Sequence, residues 1–116
     1  FRRFDELNPD AGPAPDVPPG LLEGLACGDV QRVADHLVND LQPAALSLRP
    51  HLREVLDAGA EAGALAGIVS GSGPTCAFLA RNEDAAVRLS GALSGLGLAR
   101  TIRRASGPVP GARPFA

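Results

Sequence analysis

The run GIVSGSGPTCAFL, Gly67 to Leu79, sets three hydroxyls and two glycines within six consecutive positions: Ser70, Gly71, Ser72, Gly73, Pro74 and Thr75. Three chemistries use such a set. A serine nucleophile on a sharp elbow needs glycine two places before it and two places after, so that the backbone can turn beneath an exposed hydroxyl. Ser70 has Ile68 two places before it and Ser72 has Pro74 two places after, so neither fits. A phosphate loop of the Walker type follows its glycines with a lysine and a hydroxyl, and this chain contains no lysine. The third chemistry is softer. Where glycines take positive φ, successive peptide N–H groups converge on an anion, and neighbouring hydroxyls add donors. Its plain alternative is a glycine-rich hairpin turn with no ligand, because a strand and not a helix N-terminus follows. On the residues alone these last two readings stay open. No nucleophile, general base or metal-binding carboxylate pair assembles from the segment, so no catalytic residue and no metal ligand is assigned.

The remaining reactive side chains are sparse. Cys27 and Cys76 form no C-x-x-C pair, which argues against a zinc site or a redox couple. His36 and His51 lack ligand-like partner spacing and read as structural. All eleven basic residues are arginine, which excludes any mechanism needing a lysine amine. A net charge of −2 argues against a general nucleic-acid binder, which needs a basic surface to displace phosphate counterions. The cluster Arg100, Arg103 and Arg104 reads as a solvated strand face. No apolar run approaches the ~18 residues of a membrane span, and no signal peptide opens the chain. The expectation is a cytoplasmic, disulfide-free protein with neither a nucleic-acid nor a membrane partner.

The elements that must position the glycine run come next. At 116 residues a single domain is expected, with a core of Leu, Val, Ile and Ala, since Trp, Tyr and Met are absent. Residues 1–20 hold a short amphipathic start, FRRFDEL, and a linker with Pro at 9, 13, 15, 18 and 19 that neither a helix nor a sheet interior tolerates. A linker so near the start suggests that something precedes it. From Leu21 a helix runs to Gly28, which suits a left-handed cap, and Asp29 caps the next. Val30, Val33, Ala34, Leu37, Val38 and Leu41 recur at helical spacing, predicting one helix that Pro43 stops. Another helix is predicted from about Leu48 to Ala62, with Leu52, Val55 and Leu56 inward and Gly63 as terminator. ALAGIVS and TCAFLA read as the two strands of a hairpin. Asn82 caps a helix through about Ser94 that Gly95 and Gly97 end, and residues 98–106, LARTIRRAS, form a last strand. The domain spans 21–106, and the Pro- and Gly-rich tail 107–116 is an extended strap or disorder.

The glycine run resembles the third conserved motif of the GHMP kinases. FRRFDEL, the long middle stretch NDLQPAALSLRPHLREVLDAGAEAGALAGIVSGSGPTCAFLA, and GPVPGARP together extend the resemblance over nearly the whole chain. The resemblance implies a two-domain enzyme with its active site between the domains. It implies ATP and magnesium as cofactors, and transfer of the γ-phosphoryl group to a hydroxyl of a small-molecule substrate. Ser70, Gly71, Ser72, Gly73, Pro74 and Thr75 would then be the nucleotide-proximal loop, with the kinase N-terminal domain as partner.

The implied fold class is α+β: a ferredoxin-like split βαβ layer, the C-terminal domain of such a kinase. The order expected from the sequence, helices, strand, strand, helix, strand, supplies all of β-α-β-β-α-β except its first strand. The family's phosphate loop, lysine motif and catalytic aspartate are not found in these residues, and Gln42 stands where the family often has Glu. The chain on its own is therefore expected to bind nucleotide weakly and to show no turnover. In the implied sheet the first strand lies between the third and the last, so its loss leaves backbone edges unpaired. Three repairs are expected: pairing of 75–80 with 98–106, an inserted terminal segment, or strand exchange in a homodimer. The alternative function is a non-catalytic ferredoxin-like module that binds a metabolite or a protein partner.

Overall fold

The computed structural model describes residues 1–10, 12, 16–107 and 110–112. In chain order its elements are α1 (Arg2–Leu7), α2 (Pro19–Cys27), α3 (Val30–Asp35), α4 (Gln42–Leu48), α5 (His51–Glu61), β1 (Ala66–Val69), β2 (Cys76–Leu79) and α6 (Glu83–Leu96). The expected extension of the linker and the tail falls largely on residues 11, 13–15, 108–109 and 113–116, which lie outside those described. No helix among the described residues is long and apolar enough to cross a membrane.

Cap chemistry explains most helix ends. The Asp29 carboxylate accepts from Arg32 N–H and the Asn82 side chain from Ala85 N–H, each satisfying a first-turn donor that the helix itself leaves free. Gly28 and Gly97 close α2 and α6 in the left-handed region. Gly95 does not end α6; it lies within the helix.

Two helices differ from the sequence pattern. The stripe from Val30 to Leu41 does not make one helix, because α3 stops at Asp35 and Leu37 to Asn39 are irregular. Asn39 is the cause. Its Oδ1 accepts from Leu41 N–H at 3.1 Å and its backbone oxygen from Gln42 N–H at 3.0 Å, a local turn that competes with helix. Pro43 then sits in the first turn of a new helix, α4, where its missing N–H costs nothing, and does not act as a stop. The second break is at Arg49, forced to φ −134° and ψ 79° by the ring of Pro50. It divides α4 from α5.

The sheet is a single antiparallel hairpin, with Ala66 opposite Leu79, Gly67 opposite Phe78, Ile68 opposite Ala77 and Val69 opposite Cys76. Ser70 N–H donates to Thr75 O at 2.7 Å. In this register the backbone groups of Ile68 and Ala77 therefore face each other, whereas those of Val69, Cys76 and Phe78 face outward.

The expected strand at 98–106 is not formed. Among the described residues the sheet holds only β1 and β2, and neither pairs with this segment. Direct pairing with 75–80 does not occur, and α1 packs on α4 and does not join the sheet. The segment is held by side chains instead. Leu98 and Ile102 pack against Ala58, Leu89 and Leu93, and His51 Nε2 donates to Leu98 O at 3.1 Å.

The core lies where α5 covers the hairpin. Ala45, Leu52, Leu56 and Val69 form one cluster and Ala58, Leu89 and Leu93 a second, with Phe78 packed against both. That ring lies against the backbone of two glycines: a Cβ on Gly59 would overlap it, and one on Gly67 would stand 2.6 Å from its Cε1. Glycine at these two positions lets α5 approach the sheet across an aromatic ring.

Candidate functional site

The six residues singled out in the sequence come together as the tip of the β1–β2 hairpin. Gly73 N–H donates to Ser70 O at 3.0 Å, closing a turn whose second residue, Gly71, has φ +57° and whose third, Ser72, has negative φ. Only glycine takes that second position without cost, the pattern of a primed hairpin turn. Gly73 is also at positive φ, +79°, and the Gly73–Pro74 peptide is cis. Ser70, Gly71, Ser72, Pro74 and Thr75 are exposed, and the three hydroxyls belong to exposed residues.

Beneath the tip the backbone is fixed from one side. Val69 has no exposed surface, and both of its outward backbone groups are taken by side chains. Its N–H donates to Gln42 Oε1 at 2.9 Å, and its carbonyl accepts from Asn39 Nδ2 at 2.6 Å. The same Asn39 amide also donates to Gly71 O, at 2.8 Å. The outer edge of β1 is thus closed at Val69 by two side chains, Asn39 from the turn ahead of α4 and Gln42 from its first residue. The amides of Gly71 and Ser72 meet no acceptor among the described residues.

Sequence reading missed Asn39 and Gln42 as parts of this site. A signal was present: Asn-Asp directly before Leu-Gln-Pro is turn chemistry, and it should have ended the helical stripe.

The arrangement offers neutral donors to an anion at its rim. Among the described residues no group of three His, Cys, Asp or Glu side chains is placed to hold a metal ion. His36 Nδ1 donates to Arg32 O at 2.8 Å with its ring against Gly20, and His51 lies between Leu98 O and Glu54. Cys76, the first residue of β2, is half-buried, and burial pushes its thiol above the ordinary value. These donors suit phosphate oxygens and not a cation.

Residues 21–97 match the family described as "GHMP kinases C terminal". The chain belongs to this family, as an α+β domain of helices on a two-stranded antiparallel sheet. It is 59% identical over 115 residues to the 4-diphosphocytidyl-2-C-methyl-D-erythritol kinase of Rhodococcus jostii, covering 97% of this chain and 37% of that protein. The kinases of that name from Nocardia farcinica and Thermobifida fusca are 60% and 53% identical, over 97% of this chain and 37% and 36% of their own lengths. The chain therefore spans a little over a third of the curated relatives it matches.

Proposed function

We propose that the chain serves as the C-terminal domain of an ATP-dependent kinase acting on a hydroxyl of 4-diphosphocytidyl-2-C-methyl-D-erythritol, in isoprenoid biosynthesis in the cytoplasm. The observation that carries the reading is the hairpin tip: Gly71 and Ser72 present amides that meet no acceptor among the described residues, on a backbone that Asn39 and Gln42 hold in place. Ser70, Gly71, Ser72, Gly73, Pro74 and Thr75 form the wall of the cleft nearest the nucleotide phosphates. Phosphoryl transfer depends on positioning and on stabilising charge, and peptide donors serve both. Magnesium would take its protein ligands from outside this domain, where among the described residues no group of three His, Cys, Asp or Glu side chains is placed to hold a metal ion.

In this reading the layer is ferredoxin-like. The outward edge of β2 receives a first strand from the N-terminal portion, and a second copy of the chain takes that place when the chain stands alone. One half of the cleft supplies loop donors without a base, so the chain alone has no turnover.

The test joins this chain to the N-terminal portion of the Rhodococcus jostii relative in place of that protein's own matching third. Isotope from γ-labelled ATP is expected to pass to the diphosphocytidyl substrate with the joined protein and not with the chain alone. A folded but silent joined protein overturns the kinase reading. Turnover by the chain alone overturns its description as half a cleft.

A further inference from the structure

We propose that Asn39 is a positioning residue that sets the direction of the Ser72 N–H, by holding the Gly71 carbonyl on the far side of the same peptide. The inference rests on the nucleotide-loop reading for its purpose but on geometry for its content. A trans peptide is planar, so the oxygen of one residue and the N–H of the next point in opposite directions. The peptide joining Gly71 to Ser72 is trans, and Asn39 Nδ2 binds its oxygen at 2.8 Å. The Ser72 N–H must then point away from Asn39, off the tip and into open solvent.

The same rule accounts for the two peptides before it. Asn39 Nδ2 binds Val69 O at 2.6 Å, and the Ser70 N–H on the other side of that peptide reaches Thr75 O at 2.7 Å. Ser70 O is turned inward to Gly73 N–H at 3.0 Å, which sends the Gly71 N–H outward. Three successive peptides are thus oriented, two of them by one side-chain amide.

The assignment of that amide follows from its partners. Leu41 N–H is a donor and needs Oδ1, whereas the two carbonyls need a nitrogen. Restraint from outside the loop is required because Gly71, at φ +57° with open space around its α-carbon, has no side chain to resist a peptide flip. Asn39 is 32 residues from Gly71 in sequence, so the bond also ties the tip to the turn ahead of α4.

Two substitutions separate this role from a structural one. Asn39→Asp keeps an oxygen for Leu41 N–H, and hence the local turn, but sets carboxylate oxygen against two carbonyls. Asn39→Ala removes both functions. If Asn39 merely shapes its own turn, Asn39→Asp behaves like the parent chain. If it aims the tip, both variants reorient the Ser72 N–H while amides of α5 and α6 stay in place.

Residual dipolar couplings and hydrogen exchange of the Gly71 and Ser72 amides, measured on the 116-residue chain without ligand, read this directly. Changed couplings at Ser72 in both variants, with Val55, Leu56 and Leu89 unchanged, are expected. Unchanged couplings at Ser72 in Asn39→Asp overturn the proposal. Should either variant unfold, the parent chain decides: protected Asn39 side-chain Nδ2 protons support the clamp, and exchange at the rate of a free amide overturns it.

Titration with ATP separates the two levels. ATP is expected to move the Gly71 and Ser72 resonances of the parent chain, with affinity lower by about tenfold in both variants, the loss expected for one hydrogen bond to a charged group. No movement in the parent chain counts against the nucleotide reading and leaves the orientation result standing on the couplings.

Discussion

Gln42 Oε1 stands 2.9 Å from the backbone nitrogen of Val69, and Val69 is wholly inaccessible to solvent. A side chain 27 residues upstream therefore takes the place that a neighbouring strand would take along the outer edge of β1. Gln42→Leu keeps the volume and removes the acceptor, leaving a buried N–H without a partner. The expected loss is about 1–3 kcal/mol, the desolvation cost of an unmade hydrogen bond. Gln42→Glu presents the same oxygen in a half-buried position and is expected to stay within about 1 kcal/mol of the parent, its stronger acceptor offsetting its desolvation. Urea unfolding with an unchanged slope would measure both. Equal destabilisation by the two variants would show that the bond is not what Gln42 contributes.

Gly59 gives a case in which two general rules disagree and magnitude decides. Alanine in the interior of a helix is favoured over glycine by about 1 kcal/mol. Here, however, a Cβ would overlap the Phe78 ring, and the ring cannot retreat because Gly67 lies against it from β1. Overpacking costs about 1–3 kcal/mol, so Gly59→Ala is expected to be net destabilising. Thermal melts would settle the sign. Adding Phe78→Leu should then recover part of the loss, and strict additivity of the two substitutions would contradict the proposed contact.

What the sequence revealed and what it concealed divide along the range of the interactions. Asp29, Asn82, Gly28 and Gly97 act on their own helices, so their roles were legible from residue type and position. The hairpin was legible because two apolar runs flank a turn that only glycine completes. The end of α3 was legible in the Asn-Asp pair at 39–40 but masked by an unbroken apolar stripe to Leu41; the partners that the Asn39 amide takes 30 and 32 residues away were not legible. The break before Pro50 was legible, because a proline ring drives the residue ahead of it out of helical geometry. The strand at 98–106 was read from an imperfect alternation; its apolar Leu98 and Ile102 are indeed partly buried, but burial alone does not make a strand without a neighbour. The location of the glycine tip was evident, whereas its orientation depends on contacts that no local pattern encodes.

The Cys76 thiol gives the stability of the chain a pH dependence of known sign. Burial raises it above the ordinary value of 9.0, so the folded state keeps this proton where the unfolded state has lost it. Its contribution is complete below the unfolded value and is lost as pH rises through 9.0 toward the folded value. Stability is therefore expected to fall as pH rises past 9.0, more steeply in the parent than in Cys76→Ala. Parallel curves for the two proteins would remove Cys76 as the source. The same burial predicts that iodoacetamide labels the exposed Cys27 well before Cys76, which mass mapping of the labelled peptides would check.

The two edges of the hairpin differ, and the difference predicts an association. On β1 the outward groups of Val69 are satisfied by Asn39 and Gln42, while on β2 the outward groups of Cys76 and Phe78 have no strand beside them among the described residues. From Thr75 to Ala80 there is neither charge nor proline, the usual guards of such an edge. Two copies meeting there in antiparallel fashion would make one four-stranded sheet. The chain alone is accordingly expected to show a concentration-dependent dimer by light scattering, with amide protection spreading to Cys76 and Phe78. Ala77 is exposed, and its backbone groups face β1, so Ala77→Lys adds a charge beside the open edge without breaking the hairpin ladder. That variant should remain monomeric with unchanged exchange in α5. A parent chain that stays monomeric at every concentration, with Cys76 and Phe78 amides exchanging freely, would mean that this edge does not recruit a second copy.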